Sequence, residues 1–204
     1  MRSRHWANMK HAFEWRFAEA RELTDRVLAI EPNHVRALAE GSIMPGPGCS
    51  AARSHRGCRP RAIATNRENF TANWSRVIAL AAAGHDDDAL NAAEDAFVIF
   101  KQHPSILAAI AAVHARRGNV FTAEAIFHEL RERAKTTFVS RAVRAAVAAS
   151  AGLTDDARQL LGEAIAERDA FLTFYKLPAC RALRADAECT TMLNEMVYIK
   201  DALH

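Results

Sequence analysis

The sequence predicts an all-α protein built of antiparallel helix pairs, and three observations lead there. Gly84, Gly118 and Gly152 stand 34 residues apart in a chain of 204 residues that contains only 8 glycines. Five residues after each comes an alanine (Ala89, Ala123 and Ala157), and each glycine sits between two apolar runs of helical spacing. Aromatics make up 7% of the chain, with 6 prolines. That composition suits closely packed helices better than sandwiches or barrels, which draw on β-branched and aromatic residues and frequent turns.

Each glycine reads as the end of one helix and the turn into the next. A left-handed residue stops a helix, and glycine takes that conformation without steric cost. Asp86–Asp88 follow the first glycine, and Thr154, Asp155 and Asp156 follow the third, where the second helix of each pair begins. Carboxylates there are predicted to cap free N–H groups and to complement the positive end of the helix dipole. Three consecutive aspartates could also be a divalent-cation cluster, but recurrence at the same repeat position favours capping. Residues 17–34 fit the same template, with Ala20 and Pro32 at positions 20 and 32 of a 34-residue unit.

On these residues the chain resembles the tetratricopeptide repeat family. The resemblance implies a right-handed superhelical solenoid of antiparallel helix pairs, a helix A and a helix B in each repeat. It covers roughly residues 1–34 and 70–170. Position 20 is held by Ala20, Ala89, Ala123 and Ala157, and position 27 by Val27, Ala96, Leu130 and Ala164. Small side chains at these positions let the two helices of a pair cross closely. Phe127 stands at position 24 of its repeat, as the pattern prefers. Three repeats are expected at 70–103, 104–137 and 138–170, with a first repeat and the start of a second in 1–40. The first repeat departs from the pattern in carrying Trp15 where the turn glycine would stand. Trp74 falls one place later than the early aromatic of helix A.

From Ala20 to Ala89 is 69 residues, two repeats and one residue more. Residues 35–40 start a second repeat, and then Pro45, Pro47 and their neighbouring glycines forbid a continuing helix. Residues 41–69 are therefore expected to be a degenerate or disordered basic segment rich in Gly, Pro and Arg. One reading is a loop that replaces most of a helix pair. The other is a local frame disturbance in a GC-rich gene, whose misread codons produce this composition.

Residues 1–69 hold 12 basic and 7 acidic side chains, a net +5 within an overall +3. The excess gathers at Arg53, Arg56, Arg59, Arg61 and Arg67. Such a stretch could hold phosphates, but no aromatics interleave the arginines for base stacking. It reads as solvated chain, and nucleic acid is not expected as a partner. Cys49, His55 and Cys58 offer three ligands with no fourth in reach, and Cys180 and Cys189 match no zinc or redox spacing. No metal or cofactor is expected, and the thiols are expected to be reduced. The longest apolar runs, Val77–Ala83 and Ile106–Val113, fall well short of the roughly 20 residues that span a bilayer. The N-terminus lacks an apolar secretion core. A cytoplasmic protein without membrane association is expected.

Beyond the repeats, residues 171–204 are expected to form a C-terminal cap with a terminal helix. The stretch from Glu167-Arg168-Asp169 through Phe171, Phe174, Tyr175 and Leu177 to Leu183-Arg184-Ala185-Asp186 is informative here. It resembles the closing segment of tetratricopeptide arrays in bacterial winged-helix regulators and class III nucleotide cyclases. The four apolar side chains from Phe171 to Leu177 are expected to cover the last pair's exposed apolar edge.

No phosphate loop, dinucleotide fingerprint or nucleophile elbow occurs, and His128-Glu129 lacks the second histidine of a metalloprotease pattern. No catalytic residue is assigned, and the expected function is a non-enzymatic scaffold or adaptor that binds a protein or peptide segment. The alternative is a detached or truncated regulatory arm of a bacterial transcriptional regulator or of an adenylate or guanylate cyclase. The family resemblance places Thr71, Trp74 and Ile78, then Ser105, Ala112 and Arg116, then Val139 and Ser150 on the concave helix-A face. That face is apolar and lined by small residues, and it lacks the Lys/Asn clamp that chaperone-binding members use for a peptide carboxylate. It suits an apolar helix or extended segment, from another protein or from its own chain. Trp74 and Arg116 are the strongest expected contacts, because Trp and Arg dominate hot spots.

Overall fold

A computed structural model describes residues 17–31, 34, 37, 69–100 and 103–201, in two compact units, residues 1–102 and 103–204. Among the described residues every regular element is a helix. The first unit contains α1 (Phe17–Ile30), α2 (Phe70–Ala82) and α3 (Asp86–Phe100). The second contains α4 (Pro104–Arg116), α5 (Val120–Arg133), α6 (Arg141–Ser150) and α7 (Thr154–Ala166). Two 3₁₀ turns follow, Ala170–Phe174 and Pro178–Cys180, and then α8 (Arg181–Ala185) and α9 (Ala187–Asp201). Trp15, Cys49, Cys58 and the basic segment up to position 68 lie outside the described residues.

The three glycines make the same joint three times. Their φ angles are +78° at Gly84, +82° at Gly118 and +75° at Gly152. The N–H after each glycine donates back over six residues, His85 to Leu80 at 3.0 Å, Asn119 to His114 at 2.8 Å and Leu153 to Ala148 at 2.9 Å. This is the Schellman arrangement, which satisfies carbonyls at the end of each A helix and turns the chain into the B helix. The B helices α3, α5 and α7 accordingly begin at Asp86, Val120 and Thr154.

Helix starts use more varied chemistry. Asn69 caps α2, its Oδ1 accepting from the Ala72 N–H at 2.9 Å. At α4, Pro104 stands in the first turn and His103 Nδ1 accepts from the Ser105 N–H at 3.3 Å. At α6, Ser140 Oγ accepts from the Val143 N–H at 3.2 Å. The expected carboxylate cap of α7 is corrected by the structure. Its N-cap is Leu153, without a side-chain hydrogen bond, and Asp155 and Asp156 lie within the first turn. There they complement the positive end of the helix dipole.

Within each unit, the pairs close on alanine. Ala89 and Ala96 are buried where α3 packs on α2, and Ala157 and Ala164 where α7 packs on α6. Ala123 is buried in α5 beside Phe127 and Leu130. Ala20 lies on α1, where Thr24 and Val27 are buried. Arg76 adds an ion pair across the α2–α3 pair, 3.2 Å from Asp95.

The glycines give a sign test. Nothing lies within 4 Å of a Cβ built on Gly118 or on Gly162 inside α7. Gly118→Ala should destabilise by about 1–2 kcal/mol through its left-handed backbone. Gly162→Ala should stabilise by about 0.5–1 kcal/mol through helix propensity. Urea unfolding of the two variants checks both signs.

Candidate functional site

The helix-A face is built differently in the two units. In the first, Trp74 is 5% exposed and Ile78 is also buried, with Thr71 half-buried. Trp74 stacks on Phe70 with ring centres 6.3 Å apart, and Phe70 meets Phe100 edge-on at 5.3 Å. The tryptophan is thus a packed side chain of this unit, with Thr71 holding a Ser75 hydroxyl on its carbonyl at 2.5 Å.

In the second unit, α4 and α6 are the A helices, and they pack against each other. Ser105, Val139 and Ser150 are buried, Ala112 is half-buried and Arg116 is exposed. The Ser150 hydroxyl is turned inward and donates to the Ala146 carbonyl at 2.9 Å. Of the expected contact residues here, Arg116 is the one whose side chain stands in solvent.

The chain's own C-terminal segment packs on these A helices. Pro178–Cys180 packs against both α4 and α6, while Ala170–Phe174 and α8 pack against α6. The terminal helix α9 packs instead on the B helix α7. Segment 170–185 therefore packs on A helices, and together with α9 the C-terminal stretch contacts both helices of the last pair. Leu172, Ala179, Cys180 and Leu183 are buried, and Phe171, Phe174, Tyr175 and Leu177 are half-buried. The rings of Phe171 and Phe174 meet with centres 5.6 Å apart on either side of buried Leu172.

Polar contacts hold the segment at both ends. At its start, Asp169 receives the Ser140 hydroxyl at 2.7 Å, the Ala142 N–H at 3.2 Å and the Phe171 N–H at 2.9 Å. The preceding Arg168 takes the left-handed conformation, φ 54°, that glycine holds at the other joints. In the middle, Arg184 donates to the carbonyls of Tyr175 and Leu177. At its end, Asp186 accepts a two-pronged contact from Arg158, at 3.2 and 2.8 Å, and caps α9 through the Cys189 N–H at 2.9 Å. Arg158's guanidinium and the Cys189 N–H hold the Asp186 carboxyl well below the usual carboxylate range. Burial pushes the Cys180 thiol up to about 12 and that of Cys189 up to about 11. Both cysteines are free thiols.

Leu183-Arg184-Ala185-Asp186 was legible as a turn, but its partners were not. Arg158 and Ser140 lie 28 and 29 residues from theirs, with no local spacing to signal the pairing. The sequence reading also missed Phe121 and Phe138, which are 86% and 87% exposed. Phe138 directly precedes buried Val139, and successive residues of extended chain face opposite ways. Among the described residues no group of three or more His, Cys, Asp or Glu is placed to hold a metal ion, and no helix is long and apolar enough to cross a membrane.

No protein-family profile matches the chain, and no curated protein sequence matches it. Among solved structures it is similar to a tetratricopeptide repeat protein from Parabacteroides merdae, at 14% identity and a TM-score of 0.50. The match covers 98% of this chain and 88% of that one. The likeness is one of fold: the chain has the all-α architecture of stacked helix pairs found in tetratricopeptide repeat proteins.

Two outcomes are expected from this geometry. Trp74→Ala should cost about 3–5 kcal/mol in urea unfolding, as removal of a packed aromatic does, while Arg116→Glu should stay within about 0.5 kcal/mol of wild type. The second concerns acid. Asp186 has a folded-state pKa below its unfolded one, so its contribution is complete above the usual carboxylate pKa and fades as pH falls below it. Stability of the second unit should decline from pH 5 toward pH 3, and Asp186→Asn should flatten that decline while lowering stability at pH 7. Denaturant titrations across that range test it.

Proposed function

We propose that this chain is a non-enzymatic scaffold or adaptor of the cytoplasm that binds a segment of a partner protein on its A-helix face. The observation that supports this most is the helix-pair architecture itself, shared with a tetratricopeptide repeat protein. In the second unit the A helices α4 and α6 pack against each other, and helices so placed offer a surface for an extended or helical peptide. Thr71, Ala112 and Arg116 are the most accessible of the proposed contacts. Buried Trp74, Ile78, Ser105, Val139 and Ser150 would shape that surface from beneath.

Affinity capture on the immobilised full chain, followed by titration of the recovered partner, tests this reading. Arg116→Glu should weaken binding about tenfold or more with helicity unchanged, in line with an arginine hot spot. Equal binding by wild type and Arg116→Glu would remove the A face from the interface.

A second reading, a regulatory arm of a transcriptional regulator or nucleotide cyclase, is favoured by the Leu183–Asp186 turn and its closing contacts. It predicts coding sequence for a winged-helix or cyclase domain adjoining this gene, which sequencing of the locus checks.

A further inference from the structure

The A helices α4 and α6 already carry a peptide-like segment packed against them, and that segment is the chain's own. Residues 170–185 run across the A helices as two 3₁₀ turns and the five-residue α8. Such turns lack the continuous hydrogen-bond ladder of the longer helices of the same unit. Leu172 and Leu183 are the only large aliphatic side chains the segment buries. Its fixing is concentrated instead at three polar points: Asp169 with Ser140, Arg184 with two carbonyls of the segment itself, and Asp186 with Arg158. These are discrete, part-buried contacts at three places along the segment. Only Leu172, Ala179, Cys180 and Leu183 of the segment are fully buried, against seven of the ten residues of α6, and an element buried so much less opens at lower free energy than the helix beneath it.

We propose that Ala170–Ala185 is a displaceable strap, an internal ligand that packs on α4 and α6 and must leave before a partner segment of the same chemistry can bind there. This rests on the scaffold reading for its biological sense, but the strap is testable without any partner. The complementary chemistry is specific: a short turn-forming segment presenting a leucine, a small pair like Ala179-Cys180 and a second leucine to the A helices. Such a partner need not be recognised from a free face. Its affinity would be lowered by the fraction of molecules in which the strap is closed.

Cys180 reports opening directly, because its thiol is 2% exposed and sits in the middle of the strap. The full-length chain is labelled with an alkylating reagent, and modified cysteines are assigned by peptide mapping, which separates Cys180 from Cys49, Cys58 and Cys189. Cys180 should react at least tenfold faster than global unfolding allows, at a rate insensitive to low urea. Arg184→Ala should speed this reaction at least a further tenfold. A dye-labelled synthetic peptide of residues 170–185, carrying Cys180→Ser, should then bind the Arg184→Ala chain saturably and the wild type at least tenfold more weakly.

Cys180 labelling in wild type only at the global unfolding rate would show that the strap is part of the core, and would overturn the proposal whether or not Arg184→Ala folds. So would a folded Arg184→Ala chain that binds no peptide, or equal peptide binding by both chains. None of these outcomes touches the scaffold reading, which stands or falls on partner binding by Arg116→Glu.

Discussion

The left-handed residue that ends each A helix is the constraint on which the described pairs depend. An α-helix leaves its last carbonyls without partners, and a tight reversal has to satisfy them while sending the chain back at a fixed angle. Gly84, Gly118 and Gly152 do this with nearly one geometry, φ between +75° and +82°. Because the joint repeats, the B helix begins at the same place each time, and Ala89, Ala123 and Ala157 arrive at matching buried positions. A larger residue there would hold the helices apart, since protein interiors accept little excess volume.

The end of α7 shows what happens when the same reversal is made without glycine. Arg168 adopts φ 54°, and the Asp169 N–H still donates to the Ala164 carbonyl at 2.9 Å. A non-glycine residue in that conformation carries a steric penalty, which the Asp169 contacts to Ser140 and to the Ala142 and Phe171 N–H groups offset. The joint that departs from the repeat is thus the one that launches segment 170–185, and its acid fastens the new direction to the start of α6. Fold and candidate site meet at this residue.

Much of the architecture was legible because it is written in local terms. Glycine at a fixed interval, alanine five residues on and apolar runs of helical period each act within a few turns of chain. The helix-A face was legible only as a set of positions. Trp74 and Arg116 looked alike as hot-spot candidates, yet one is stacked on Phe70 inside its unit and the other stands in solvent. No local signal separates them, because burial depends on what packs above a residue. The cap shows the same limit: Leu172 is buried and Phe171 and Phe174 beside it are half-buried, a difference that no local spacing signals.

By itself, then, the sequence determined the helix pairs, their joints and the small residues at their crossings, since propensity, steric freedom at glycine and hydrophobic period operate over short separations. Only the tertiary structure decided which of the A-helix residues remain accessible and what lies across them. Those outcomes hang on pairings such as Ser140 with Asp169 and Arg158 with Asp186, 29 and 28 residues apart. A contact at that separation is set by how whole helices stack, and it leaves no periodic trace in the chain that makes it.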